Sequence, residues 1–350
     1  MINLDRPLIS IIILNYNAGK LLLNCVESIL HSNYNNFEII VVDNISNDES
    51  HKHCKEKFEQ INLIENHENL GYCEGNNVGI RNAKGDFVII LNPDTEVDPL
   101  WLDELLSAYR EFGEGIYQPK ILSVDEKNVL QSTGNKIHLF GFGYSRDLGI
   151  IDTNQHNKIE HIGYAAGTCL FTSVGILQRL DMFDPFIFLY HDDLDLGWRA
   201  WQQGIKSYYV PKSVIYHVKS YNLKWSAQKF FWLERNRKYC LLTHYSKETY
   251  KKMAFWLALA DILIWFVYLT KGFVKAKIRA EQEIKKNKDK IAKKYIELEN
   301  KKIVSDKEVI KNFSDTIFVS DNISRGLLSS IFNSLLGFMS RRARKSILSG

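Results

Sequence analysis

Several short stretches of this sequence hold the residue types that chemistry needs. The densest is FLYHDDLDLGWR, Phe188–Arg199, where His191, Asp192, Asp193 and Asp195 fall within five positions between aromatic residues. Like charges this close repel one another, and three roles would offset the repulsion. The acids could cage a metal, or start a helix whose N-terminal dipole favours negative charge. They could also hold a carboxylate whose pKa is raised by acidic neighbours or burial into the range of a general base. Helix capping accounts for one or two acids, not three.

Two further stretches end apolar runs on acid. ILNPDTEV stops at Asn92-Pro93-Asp94. Asn-Pro-Asp is a turn sequence, yet Asp94 is also the kind of ligand Mg²⁺ takes, one or two carboxylates beside substrate phosphates. VVDNISND stops at Asp43, where a strand-end carboxylate accepts a base N–H or a ribose hydroxyl, or closes an Asx turn, with Asp48 capping the next helix. NLGYCEGNNVG has glycines in neither the dinucleotide nor the P-loop spacing.

The segments around these motifs alternate in period. Leu8–Leu14, Phe37–Asp43, Ile61–Glu65 and Asp86–Asn92 are apolar runs suited to strands buried on both faces. Helical spacing separates them, in Lys20–Leu30, from Asp48, in Cys73–Asn82, and in Asp98–Arg110 with Pro99 as its first residue. This order predicts an α/β fold, a doubly wound, mainly parallel sheet with right-handed crossovers. Ligands of such sheets lie beyond the strands' carboxyl ends, here LNYN, VVDNISND and ILNPDTE. From Gly115 to about Ser220 shorter strands predict a mixed extension of the same sheet. Tyr221–Tyr245 reads as a basic helix.

Composition sets the outer bounds. An apolar fraction of 45% is ample for a core. Five scattered cysteines, none spaced C-x-x-C, argue against a disulfide framework or zinc knuckle and fit a reducing cytoplasm. The N-terminus lacks a basic stretch, so no signal peptide is expected. Residues 271–350 carry 19 Lys/Arg against 9 Asp/Glu, a net +10 on a chain of net +4, leaving –6 for residues 1–270. A basic tail on an acidic body suits an anionic partner.

The motifs taken in order are I-I-I-L-N-Y-N, V-V-D-N-x-S-x-D, N-x-G-x-x-x-x-N-x-G, G-D-F-V-I-I-L-N-P-D-T, L-Y-x-D-D-L-D-L-x-W-R and V-I-Y-H. The ensemble resembles the family 2 glycosyltransferases, and within them the bacterial and archaeal rhamnosyltransferase-like branch, over roughly residues 7–245. The resemblance implies a GT-A fold and an inverting, metal-dependent transfer from a nucleotide sugar (UDP-, dTDP- or GDP-linked) to a glycan acceptor. It implies that Asn15 and Asn17 line the nucleotide pocket with Asp43 on the base. Asn92-Pro93-Asp94 would stand for the D-x-D motif, Asp94 holding Mg²⁺ or Mn²⁺ with His217 completing the metal site. Asp193 would be the general base and Asp192 its neighbour, leaving Asp195 to the helix start and to Arg199 one turn on. Arg235 and Arg237 would touch phosphate or lie on a solvated basic face. Asp192 replaces a common Glu, His191 a usual aromatic, and Asn92 the first Asp of D-x-D.

Beyond the catalytic region, expected at 1–245, residues 246–350 read as a helical, membrane-associating extension. Met253–Thr270 is apolar but only 18 residues long with Asp261 near its centre. That is the lower limit for a span, and the mid-span acid adds a cost. A helix lying in the interface, followed by basic stretches on anionic lipid, fits better. Leu327, Leu328, Ile331, Phe332, Leu335, Leu336 and Met339 repeat the pattern. Nucleic acid is not expected as a partner, the oligomeric state is left open with a homodimer seam around Asp261 as one arrangement, and the location is the cytoplasmic face of the membrane, peripheral or shallowly inserted. The acceptor is then a lipid-linked saccharide in cell-surface glycan assembly. The competing readings are a nucleotidyltransferase, which wants a glycine- and arginine-rich loop where LNYNAGK stands, and an inactive membrane scaffold.

Overall fold

The structure, a computed structural model, describes residues 5–218, 226–317 and 327–349, the side chains of 327–329 excepted. The chain divides into two compact units. Met1–Asn135, Ser145–Gly197 and Ile205–Lys219 form the first; Lys136–Tyr144, Trp198–Gly204 and Ser220–Gly350 form the second.

The first unit opens with β1 (Ile9–Asn15), α1 (Lys20–Leu30), β2 (Phe37–Asp43), α2 (Ser50–Lys57), β3 (Asn62–Glu65), α3 (Gly71–Asn82) and β4 (Phe87–Leu91). There follow β5 (Thr95–Val97), α4 (Trp101–Phe112), β6 (Gly115–Ser123) and β7 (Leu130–Ser132). β8 (Asn135–Ile137) and β9 (Gly143–Ser145) pair as a small separate sheet that belongs mostly to the second unit. β10 (Glu160–Ile162), β11 (Cys169–Ser173), α5 (Val174–Arg179), α6 (Asp192–Gln202) and β12 (Lys206–His217) come next. The main sheet runs β10-β12-β6-β11-β4-β1-β2-β3, with β5 beside β12 and β7 beside β6.

The expected doubly wound sheet is present. β1 to β4 pair in parallel, and the extension beyond β4 is mixed, because β11 runs antiparallel to both β4 and β6. β1 and β4 are buried on both faces, which is why they read as unbroken apolar runs. α1 buries Leu22, Cys25, Val26 and Ile29, one face of a 3.6-residue repeat. α3 lies close on β1 because Gly79 has no Cβ; one there would run into Ile12. The helix expected from Asp98 begins instead at Trp101. Pro99 stays outside it, its carbonyl accepting from the Asn33 N–H at 2.9 Å while the Asp98 N–H reaches Val214 O at 3.1 Å.

The second unit is helical: α7 (Ala227–His244), α8 (Lys247–Thr270), α9 (Val274–Lys286), α10 (Lys288–Lys301), α11 (Asp306–Val309), a 3₁₀ turn (Ile310–Asn312) and α12 (Leu327–Leu348). The first five residues of the Tyr221–Tyr245 segment, and the side chains of Leu327 and Leu328, lie outside the described residues. Glu234, Arg237 and Lys277 are buried together between α7 and α9. Arg237 donates to Glu234 at 2.8 Å, and Lys277 donates to Glu234 at 2.5 Å and to Asp261 of α8 at 2.7 Å. Burial alone would raise the Glu234 carboxyl, but Arg237 and Lys277 outweigh it and hold it down at about 2.

This network corrects two expectations. Arg237 is neither on a solvated face nor free for phosphate; it is buried against Glu234 and the Phe140 carbonyl. Asp261 is no bare acid in an apolar span, since it pairs with Lys277. Carboxylate oxygens of Glu234, Asp261 and Glu281 approach within 4.8 Å of one another, a spacing that suits a metal, but Lys277, Lys238 and Arg237 already stand among them. The opposite side of α8 exposes Phe255, Ile262, Phe266 and Leu269, and α12, packed on α8, exposes Ile331, Leu335 and Phe338. α8 is long and apolar enough to cross a membrane, yet most of its apolar window faces outward.

Candidate active site

The strand ends of the first unit bring most of the expected residues to one sheet edge. Asn15 and Asp43 close paired β1 and β2 in register. Both are buried, and Asn15 Nδ2 donates to Asp43 Oδ1 at 2.7 Å and to Ser50 Oγ at 2.9 Å. Asp43 Oδ2 also accepts the Ser46 N–H at 2.8 Å. The carboxylate therefore shapes the 43–50 loop from inside, while the Asn15 Oδ1 is buried without a hydrogen-bond donor among the described residues. Asn17, exposed and at φ 55°, clasps the same loop. Its Oδ1 accepts from the Asn47 N–H at 2.7 Å and its N–H reaches Ser46 Oγ at 2.9 Å.

Asn92 leaves β4, its N–H donating to Thr168 O at 2.9 Å. Two residues on, Asp94 sits opposite the end of β12, because β5 pairs His217 with Thr95. The Asp94 Oδ1 lies 3.3 Å from His217 Nε2 without hydrogen-bond alignment, and has no donor among the described residues. Gln131 decides the tautomer. Its amide nitrogen donates to the His217 carbonyl at 2.6 Å, so its Oε1, 2.6 Å from Nδ1, accepts the proton there. In a neutral ring the Nε2 lone pair then faces a carboxylate oxygen. Two acceptors held together this way fit a shared cation, with Gln131 as the outer partner that orients a ligating histidine.

The opening acids start α6. Tyr190 and His191 precede them at φ 67° and 64°, two left-handed residues that turn the chain into the helix. Asp193 accepts from the Gly167 N–H at 3.0 Å and the Leu194 N–H at 2.8 Å. Burial raises the Asp193 carboxyl, these N–H groups lower it, and the balance stands at about 6. Burial, then the charge of Asp193, pushes Asp192 well above the ordinary carboxylate range. The pair therefore shares a proton near neutrality, Asp192 holding it and Asp193 bearing the charge. Asp195 and Arg199 stand four residues apart on α6, both buried.

One loop ties the acids to the sheet edge. Gly167 accepts a hydrogen bond from Tyr72 Oη at 2.5 Å and donates to Asp193; its neighbour Thr168 holds Asn92. A Cβ on Gly167 would stand 2.9 Å from Tyr72 Oη and 3.0 Å from Asp192 Oδ2. β11 runs antiparallel to β4, so its first residue, Cys169, lies beside Leu91 at the end of β4. Gly167, Tyr72, Gln131 and Thr168 were not picked out by residue type, although A-A-G-T between two strand segments is a run of small residues that permits close approach.

Residues 10–181 match the family model for Glycosyl transferase family 2. The matched segment belongs to the family 2 glycosyltransferase superfamily. The chain is 28% identical over 205 residues to the low-salt glycan biosynthesis hexosyltransferase Agl10 of Haloferax volcanii, covering 56% of this chain and 62% of that one. It is 23% identical over 234 residues to the N-acetylglucosaminyl-diphospho-decaprenol L-rhamnosyltransferase of Mycobacterium tuberculosis, covering 61% and 76%. The chain thus spans less than two thirds of the length of Agl10. Among solved structures, GalNAc-T7 with UDP, GalNAc and Mn²⁺ superposes with a TM-score of 0.58 at 17% identity, over 71% of this chain and 50% of that one. S. aureus TarS 1–349 superposes at 0.51 and 17% identity, over 98% and 91%. These likenesses establish the GT-A-like sheet core with its C-terminal helical extension.

Proposed function

We propose that this protein is an inverting glycosyltransferase of the rhamnosyltransferase-like branch. It moves a hexosyl or deoxyhexosyl group from a UDP-, dTDP- or GDP-sugar to a hydroxyl of a lipid-linked glycan in cell-surface glycan assembly. The observation that carries the reading is Asp193 bonded to the Gly167 N–H, whose neighbour Thr168 holds Asn92, two residues before Asp94. Asp193 takes the proton of the acceptor hydroxyl as that oxygen attacks the anomeric carbon, and the bond from that carbon to the diphosphate breaks. Asp192, protonated, donates rather than repels beside it.

Asp94 and His217 would hold Mg²⁺ or Mn²⁺, which when bound neutralises charge on the leaving diphosphate. Asn15, Asn17, Asp43 and Asn92 form the donor side, with Asp43 acting through the loop it shapes and Asn15 Oδ1 free to accept from a bound nucleotide. Residues 1–245 are the catalytic region and residues 246–350 the membrane-associating one, on the cytoplasmic face. The outward apolar side of α8 supports that peripheral placement. The test is incubation of the purified chain with UDP-, dTDP- and GDP-sugars, with and without Mn²⁺ or Mg²⁺. Metal-dependent donor hydrolysis or transfer that disappears in Asp193→Asn is expected. No turnover with any donor, or full activity in the variant, overturns the reading.

A further inference from the structure

The second unit contains a cleft that the transferase reading does not use. It has a volume of about 650 Å³ and lies among α7, α8, α9 and α10. Its walls are apolar or aromatic: Leu242 and Tyr245 from α7, Tyr250 from α8, Ile284 from α9, Ile291 and Tyr295 from α10. Lys247, Lys251, Lys285 and Lys288 also line it, and no carboxylate does. Among the described residues none of these four lysines has an ion-pair partner; Lys247 lies 5.6 Å from the centre of the Tyr295 ring. Elsewhere in the same unit, buried or half-buried lysines such as Lys277, Lys238 and Lys302 are each matched with acid. Unmatched ammonium groups gathered on an apolar pocket repel one another, and a bound anion would relieve that repulsion.

We infer that this cleft binds one molecule of an anionic lipid, its hydrocarbon chain between the α7 and α10 walls and its phosphate on Lys247, Lys251, Lys285 and Lys288. The volume lies within the 300–1,000 Å³ range typical of small-molecule pockets. An apolar lining with charge confined to one sign fits an amphiphile better than a free phosphate, which leaves the walls wet, or a neutral chain, which leaves the lysines unmatched. The site is distinct from the outward face of α8, where Phe255, Ile262, Phe266 and Leu269 are exposed. It stands whether or not the first unit transfers sugars.

The probe is oleoyl lysophosphatidic acid, kept below its micelle concentration, titrated into the full-length protein by calorimetry and followed by native mass spectrometry. One lipid per chain is expected, with affinity at least tenfold above that of glycerol 3-phosphate or monoolein. The exposed pair Lys285→Glu/Lys288→Glu should weaken binding at least tenfold. Ala292→Trp, which fills the cleft and keeps every charge, should do the same, with both variants melting at the native temperature. No binding, several lipids per chain, equal affinity for either half-molecule, or undiminished binding by two folded variants overturns the inference. Donor hydrolysis by the same samples reads the transferase activity separately.

Discussion

His217 Nε2 faces Asp94 Oδ1 at 3.3 Å while Gln131 accepts the proton on the opposite ring nitrogen. That relationship assigns one role to each of the three residues, and each role has its own consequence. Asp94→Asn should abolish metal-dependent turnover. Gln131→Leu should leave the sheet intact yet free the ring to change tautomer, weakening Mn²⁺ by about 10- to 100-fold. Mn²⁺ binding followed by electron paramagnetic resonance in the presence of nucleotide checks both, and unchanged affinity in Gln131→Leu would refute the tautomer argument.

The acid pair makes the activity depend on pH in a stated direction. On the proposed mechanism Asp193 acts as a base only when ionised, and its carboxyl is raised to about 6. kcat/KM should therefore climb as pH rises through about 6 and level off above it. Asp193→Asn should lower kcat by about 100-fold or more with donor affinity kept. Asp192 is already neutral where Asp193 titrates, so Asp192→Asn, which keeps a neutral donor, should leave the rising limb near pH 6. A limb that moves to lower pH would show that Asp192 carries charge there.

Gly167→Ala puts a methyl group 2.9 Å from Tyr72 Oη and 3.0 Å from Asp192 Oδ2. Activity should fall steeply while the melting temperature drops by only a few degrees, because the strain falls on the loop whose Gly167 N–H holds Asp193. Adding Tyr72→Phe removes the crowded hydroxyl and should restore part of the rate. Kinetics of the single and double variants decide it.

Lys277→Met should destabilise the helical unit by about 3–5 kcal/mol, since it leaves Glu234 and Asp261 facing one cation fewer in a buried site. The pH sign follows from Glu234. Its folded pKa, about 2, lies below the ordinary value of 4.5, so its contribution is full above about pH 4.5 and fades as pH falls towards 2. Urea melts between pH 7 and 2 should show the native protein losing this increment and the variant losing a smaller one, since Arg237 still holds Glu234.

Phe266→Glu and Ile262→Glu alter only the outward side of α8. Each removes an apolar side chain worth about 1.5–3 kcal/mol when buried, so partition onto vesicles containing phosphatidylglycerol should fall at least tenfold with no change in folding. Sedimentation with such vesicles measures it, and equal pelleting of the variants would remove α8 from the membrane contact.

What could be read from sequence, and what could not, divides along physical lines. β1, β2 and β4 were legible because burial on both faces writes an unbroken apolar run. The placements of Asp94 beyond β4 and of Asp193 at the start of α6 were legible because an apolar run ends just before the one and a helical repeat follows the other. Gln131 and Gly167 were not, since their partners lie 86 and 26 residues away and nothing local marks the contact. The start of α4 was misjudged because Pro99 suits a first helical turn equally well when the strand before it continues to bond. Arg237 looked like a surface cation until its i–3 neighbour Glu234 and the distant Lys277 were seen to enclose it.

The placement of Lys277 also bears on how the chain is made. Asp261 meets this cation only after 16 further residues have been synthesised. Until then the apolar part of α8 leaves the ribosome with an acid met only by Arg237 and Lys238, which are already made. The cost of taking that acid into a bilayer, about 2.5–3.5 kcal/mol, is the obstacle to threading the helix through. When Lys277 arrives, the acid is drawn to the inside of the helical unit.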